Sequence, residues 1–283
     1  MGFKIPITIN NSIYFKFLPT FVTNKLNLNF GYIPHSDEKT NIKKSDVCFS
    51  RSLISISGTT SDTISLKHYF KEISNQYNLS SCVANGIADT AEAMYAKEFK
   101  KNPAIVPDFS RLFIYYNARN NQTPPASHED SGTYIGIGMD SISRYGITQE
   151  SVWPYITSNV FTRPSIIAYK TALKNRFFNY YSINSKGDDR IRDITKALNA
   201  GCPVIFGTKV DSAFTNPTGL SLVGPPSGDY VGGHCLVVVG KKGNNFEIRN
   251  SWGAGWRNNG YVWFTPEYLK ASITKDIWVL VKK

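Results

Sequence analysis

The sequence predicts an α+β protein in which a helix-rich lobe is followed by a strand-rich lobe. Three observations lead there. Apolar residues recur at helical spacing between about residues 82 and 145, short β-branched runs punctuated by Gly, Asn and Pro dominate after residue 200, and no internal repeat links the two.

The first 60 residues stand apart. Ile5 to Phe17 is β-rich, with Asn10-Asn11 as a turn, whereas His35 to Asp46 is polar and reads as an exposed loop or linker. Ser52 to Ser65 is Ser/Thr-rich and reads as extended chain. The clearest helix then starts at Cys82, where Ser80 or Ser81 serves as a cap. Val83, Ile87, Ala91 and Met94, with Ala84, Ala88 and Tyr95, form its apolar stripe, and it runs to about Phe99, short of Pro103. Gly86 weakens this helix by up to ~1 kcal/mol relative to Ala and marks close packing against a neighbour.

Further helices are predicted over Ser110–Asn120, over Tyr134–Tyr145 with Gly146 as a left-handed cap, and over Asp188–Ala200, stopping at Gly201. Trp153-Pro154-Tyr155 is a turn. Pro203–Phe206, Cys235–Val239, Phe246–Arg249 and Tyr261–Phe264 read as strands.

The 283 residues, 41% hydrophobic and 19% charged, suit an ordered chain with a sizeable core. No run of eighteen apolar residues predicts a membrane span. The net charge of +11 is spread over scattered lysines with no aromatic-interleaved basic motif, so specific nucleic-acid binding is not expected. Cys48, Cys82, Cys202 and Cys235 form no C-x-x-C pair, which argues against a zinc site and against a disulfide-stapled domain; no cofactor is expected. The N-terminus lacks signal-peptide features, which leaves a cytoplasmic chain or one secreted after loss of a signal, and a monomer is expected.

Cys82 taken alone reads as a small buried hydrophobe. At a helix start, however, unpaired amides and the helix dipole favour an anion, so a thiolate there has a lowered pKa and suits covalent catalysis. Gln76, six residues upstream, is placed to donate to a developing oxyanion together with the Cys82 amide. His234 follows Gly232-Gly233 and leads into an apolar strand, where it faces a cleft that another chain can approach. Asn250 ends a strand, and its side chain is expected to accept from the His234 Nδ1–H, with the Trp252 indole shielding that bond.

Gln76…Cys82, Gly233-His234 and Asn250-Ser251-Trp252-Gly253 resemble the papain family of cysteine peptidases in order and spacing; the gap from Cys82 to His234 is 152 residues, against ~130–150 in such chains. Over residues 65–283 the resemblance is to the bacterial and viral subset, which carries segments similar to Gly31-Tyr32-Ile33-Pro34, Ser110–Arg119, Glu129–Gly132 and Tyr145–Tyr155. The resemblance implies a papain-like two-lobe fold, with a helical left lobe (about 66–160) and a β-barrel-like right lobe (about 161–283) either side of an active-site cleft. It implies Cys82 as nucleophile, His234 as base, Asn250 as its orienter and Gln76 in the oxyanion hole. Ser131, Gly132, Gly233 and Trp252 are the substrate-binding residues it implies, and Gly207 falls near a specificity pocket left roomy. Val83 and Leu79 depart from papain, which has an aromatic residue and a disulfide cysteine there. The substrate is then a peptide or protein. Residues 1–60 are either a pro-segment acting as an intramolecular inhibitor or a permanent extension of the catalytic domain at 61–283. Competing classes are a papain-fold acyltransferase or transglutaminase-like enzyme, and a silent binding module.

Overall fold

The computed structural model describes residues 28–49, 61–226 and 228–283. The β-rich Ile5–Phe17 and most of the Ser52–Ser65 stretch lie outside the described residues. Helices pack against an open eight-stranded sheet whose order is β2 (Phe178–Ile183), β8 (Lys275–Lys282), β3 (Val204–Asp211), β5 (Tyr230–Lys242), β6 (Asn245–Arg249), β7 (Tyr261–Phe264) and β4 (Leu222–Val223), with β1 (Thr63–Ser65) added to the end of β5. Among the described strand pairs only β4–β7 is parallel. The fold class is α+β as expected, but the sheet is open and not closed into a barrel. Strand β5 is long because it has three partners: β3 from Tyr230 to Val238, β6 from Val237 to Lys242 across a register shift at Val238/Gly240, and β1 from Gly240 to Lys242.

The Cys82 helix spans Cys82–Glu98 and is buried on nearly all sides, polar Asn85, Asp89 and Thr90 included. Its sequence showed one apolar stripe; the packing needs more. Gly86 lies on β5, where an added Cβ would stand 3.4 Å from Cys235 Sγ, while the helices Arg111–Asn121 and Ile135–Tyr145 cover the other side. Burying Asp89 is tolerated because Arg249 Nε donates to it at 2.8 Å. The same guanidinium donates to the carbonyls of Lys71 and Glu72, tying the chain before Gln76 to the sheet.

The expected caps divide. Ser110 Oγ accepts from Phe113 N (3.1 Å), so the second helix begins as predicted. Ser81 occupies the N-cap of the Cys82 helix but makes no capping bond; its hydroxyl pairs with Tyr155 OH and Asn85 instead. The first-turn amides at Cys82 therefore stay uncapped by a side chain. Gly146 and Gly201 take positive φ (78° and 73°) where their helices end.

His35 to Asp46 is exposed only in part. Asp37–Thr40 is a short helix capped by Ser36, Thr40 and Ile42 are buried, and Val47 O accepts from Ser182 N at 2.6 Å. The polar residues misled because Lys44 and Asn41 pair with Asp276 and Thr123 elsewhere in the fold, while other polar side chains bond within the stretch and hold it in shape. Among the described residues no disulfide forms, and no helix is long and apolar enough to cross a membrane.

Candidate active site

Two walls bring the predicted residues together. Cys82 opens the central helix on one wall, and His234 lies on β5 opposite Thr208 on the other. Asn250 follows β6, where its amide donates to Gly260 O (3.0 Å). The loop carrying Gln76 is stitched to the Asn250 turn: Gln76 N donates to Ser251 O (2.9 Å), and Asn75 bridges Trp252. Residues 175 positions apart thus share a second hydrogen bond, Ser251 Oγ to Gln76 Oε1 at 2.8 Å, which fixes the amide so that Nε2 faces the cleft. Sequence reasoning passed over Ser251, although its place between Asn250 and Trp252 was a signal.

His234 Nε2–H donates to Asn250 Oδ1 at 2.8 Å, and Ser251 N donates to the same oxygen. The expected bond used Nδ1; the ring is turned the other way. Nδ1 has no hydrogen-bond partner among the described residues and is the nitrogen left to accept a proton. Trp252 stacks on the imidazole with centroids 4.5 Å apart at 27°, covering it as expected. Gly132 and Gly233 line the cleft, and Ser131 next to them is exposed, its hydroxyl donating to Gly132 O at 3.4 Å. Asp130, missed in the sequence, holds this rim by accepting from Ser80 N (3.0 Å) and Tyr115 OH (2.6 Å).

The cleft is filled by residues 29–33 of the chain itself. Tyr32 N donates to Gly233 O (3.1 Å), Thr133 N to Gly31 O (2.8 Å) and Ile33 N to Thr133 O (3.0 Å), so the segment bonds to both rims. The glycines of the rims give it room: an added Cβ would stand 2.3 Å from Gly31 O at Gly132, 2.4 Å from Phe30 Cγ at Gly232 and 2.5 Å from Tyr32 O at Gly233. Phe30 sets its ring edge-on against His234 and Trp252. Gln76 Nε2 donates to Asn29 O at 3.0 Å, and the Gly31 amide lies against the Cys82 sulfur.

This cover changes the electrostatics. Burial pushes the Cys82 thiol up to about 11, and the amides of Cys235, Gly31, Val83 and Cys82 itself only partly oppose it. Burial also pulls His234 down to about 4 against the hydrogen bond to Asn250. In the covered form the pair is therefore neutral thiol and neutral imidazole, not the thiolate expected from the helix start. The physical reason is that water is excluded from both charged forms at once. Cys235 is buried in β5 and burial raises its thiol as well, so it packs as a small apolar side chain. A separate surface cavity of about 970 Å³ contains none of Cys82, His234, Asn250 and Gln76, though Asn75 reaches its wall; its Lys71–Asp108 (2.6 Å) and Arg111–Glu150 (2.9 Å) charges are paired within it.

Residues 58–279 match the family described as papain family cysteine protease. The chain belongs to the papain family of cysteine proteases. It is similar to an uncharacterized peptidase C1-like protein of Acanthamoeba polyphaga mimivirus, 30% identical over 283 residues, 91% of this chain and 88% of the viral one. Among solved structures it is similar to Xylellain, a cysteine protease from Xylella fastidiosa, with a TM-score of 0.72, 26% identity and coverage of 89% and 95%. Digestive procathepsin L 3 of Tenebrio molitor shares the fold at a TM-score of 0.63, 18% identity and coverage of 86% and 76%. Viral and bacterial likenesses agree with the subset expected from Gly31-Tyr32-Ile33-Pro34, and the family match places this chain among the cysteine peptidases, which are hydrolases.

Proposed function

We propose that the chain hydrolyses peptide bonds through a Cys82 thioester, and that the form described is its latent form, closed by residues 29–33. The observation that carries this reading is the set of four groups on two walls, Cys82, His234, Asn250 and Gln76, with a peptide segment of the chain lying across them. A groove that bonds an extended peptide along both rims is a groove for peptides.

In the open form His234 Nδ1 takes the Cys82 thiol proton. The thiolate attacks a peptide carbonyl, Gln76 Nε2 and the Cys82 amide hold the oxyanion, and the imidazolium gives its proton to the leaving amine. Water, deprotonated by His234, then attacks the thioester carbonyl; the C–S bond breaks, the acid leaves and the proton returns to sulfur. In the closed form the Gln76 donor is taken by Asn29 O, while the group against the sulfur is the Gly31 amide. The carbonyl in the hole and the residue at the sulfur are two positions apart, so the segment is held without being attacked.

A peptide-library digest with and without a thiol alkylator tests the reaction: cleavage is expected and is lost on alkylation of Cys82, while alkylator-resistant cleavage contradicts the reading. Gln76→Ala is expected to lower kcat by about 10²–10³-fold with a small change in KM, since it removes an oxyanion donor. Steady-state kinetics that show only a raised KM would place Gln76 in binding instead.

A further inference from the structure

The segment in the cleft also shows what the cleft selects. Tyr32 enters a pocket whose wall is Gly207: an added Cβ there would stand 2.1 Å from Tyr32 Cζ, so the missing side chain is the space its ring occupies. The phenol donates at the far end to Asp276, which is 4% exposed. A register shift where β3 pairs β8, with Ile205 opposite Trp278 but Gly207 opposite Lys275, puts two β8 residues against one of β3. Asp276 stands in that bulge at φ 51°, a placement that aims its side chain toward the cleft.

The partners of this carboxylate all come from one source. Tyr32 OH and His35 N (2.7 Å) donate to Oδ2, and Lys44 Nζ lies 2.6 Å from Oδ1. When the whole stretch 28–49 leaves the domain, as a removable pro-segment would, and not residues 29–33 alone, these three donors leave with it. The buried carboxylate at the end of the Gly207 pocket then lacks every partner it has among the described residues, a costly state that an incoming donor relieves. We propose that Asp276 is the specificity-determining residue of the open enzyme, and that the pocket takes a long substrate side chain ending in a cation, Arg or Lys, with Tyr preferred over Phe. Gly31 meets the sulfur and Tyr32 follows it, so the selected residue sits within two positions of the scissile bond. The inference rests on the peptidase reading above for its substrate but not for its pocket.

The test separates the two. In the full chain, Tyr32→Ala/Lys44→Ala empties the pocket and frees one oxygen of Asp276. Benzamidine is expected to bind this variant at least tenfold more tightly than its neutral isostere benzamide by calorimetry, and adding Asp276→Asn is expected to remove the advantage. Equal binding of the two probes, or an advantage that survives Asp276→Asn, overturns the proposal. Should the double variant not fold, the otherwise intact chain carrying Tyr32→Arg or Tyr32→Leu gives the same reading: Arg is expected to keep Cys82 as slow to alkylate as in the parent and Leu to expose it, and the reverse order overturns the proposal. With peptides matched but for one residue, kcat/KM for Arg over Leu is expected to be on the order of 10² and to collapse in Asp276→Asn. A preference for Leu overturns the proposal. Probe binding as expected, with no peptide cleaved by any chain, supports the pocket and refutes the peptidase reading alone.

Discussion

A Cys82→Ala chain is expected to fold as the parent does and to lose peptide hydrolysis by about 10⁶-fold, the scale on which removal of a nucleophile from a linked nucleophile–base unit is felt. Without the sulfur no thioester forms, and His234 and Gln76 have no attacking atom to serve. Folding is expected to survive because the change removes one heavy atom from a helix held by neighbours on all sides, a cost of about 1 kcal/mol. The checks are thermal unfolding and hydrolysis of a peptide that the parent cleaves. A folded Cys82→Ala chain with undiminished hydrolysis would sink the proposed function, and with it the role of His234 and Asn250.

The second large effect concerns latency. In the full chain at pH 8, Cys82 is expected to react with iodoacetamide about 10²-fold more slowly than an ordinary cysteine from thiolate fraction alone, since burial holds the thiol near 11 against an unperturbed value of 9.0. Steric cover by Gly31 slows it further. The sign follows from desolvation: the thiolate is penalised, the pKa rises, and reactivity keeps climbing with pH through 9 and 10. Phe30→Ala/Tyr32→Ala removes the ring against His234 and the ring in the Gly207 pocket. That variant is expected to alkylate faster by at least 10²-fold and to level off at or below about pH 8.5, as water and the helix amides regain hold of the thiolate. Mass spectrometry of Cys82 over a pH series checks it. A parent chain already fully reactive at pH 8 would mean that residues 29–33 do not guard the sulfur.

These outcomes depend unequally on what the chain states openly. The helix starting at Cys82, the strand carrying His234 and the turn at Asn250 were legible because local periodicity and Gly placement mark them within a few residues. The His234 nitrogen that faces Asn250 was not legible, because ring orientation is set by Trp252 and Ser251 at once. Nor was the buried perimeter of the central helix, since one helical stripe in the sequence does not reveal how many neighbours surround it.

Sequence by itself determined the family, the α+β class, the likeness of Gly31-Tyr32-Ile33-Pro34 to a bacterial and viral subset, and which side chains could do chemistry. Those properties live in residue type, order and local spacing. The tertiary structure alone decided that this same segment lies in the groove, that the thiol and imidazole are neutral beneath it, and that Asp276 waits at the end of the Tyr32 pocket. Each of these is a contact between residues up to 244 positions apart. Its energy comes from excluded water and a shared hydrogen bond, which exist only once the two walls have closed on the chain.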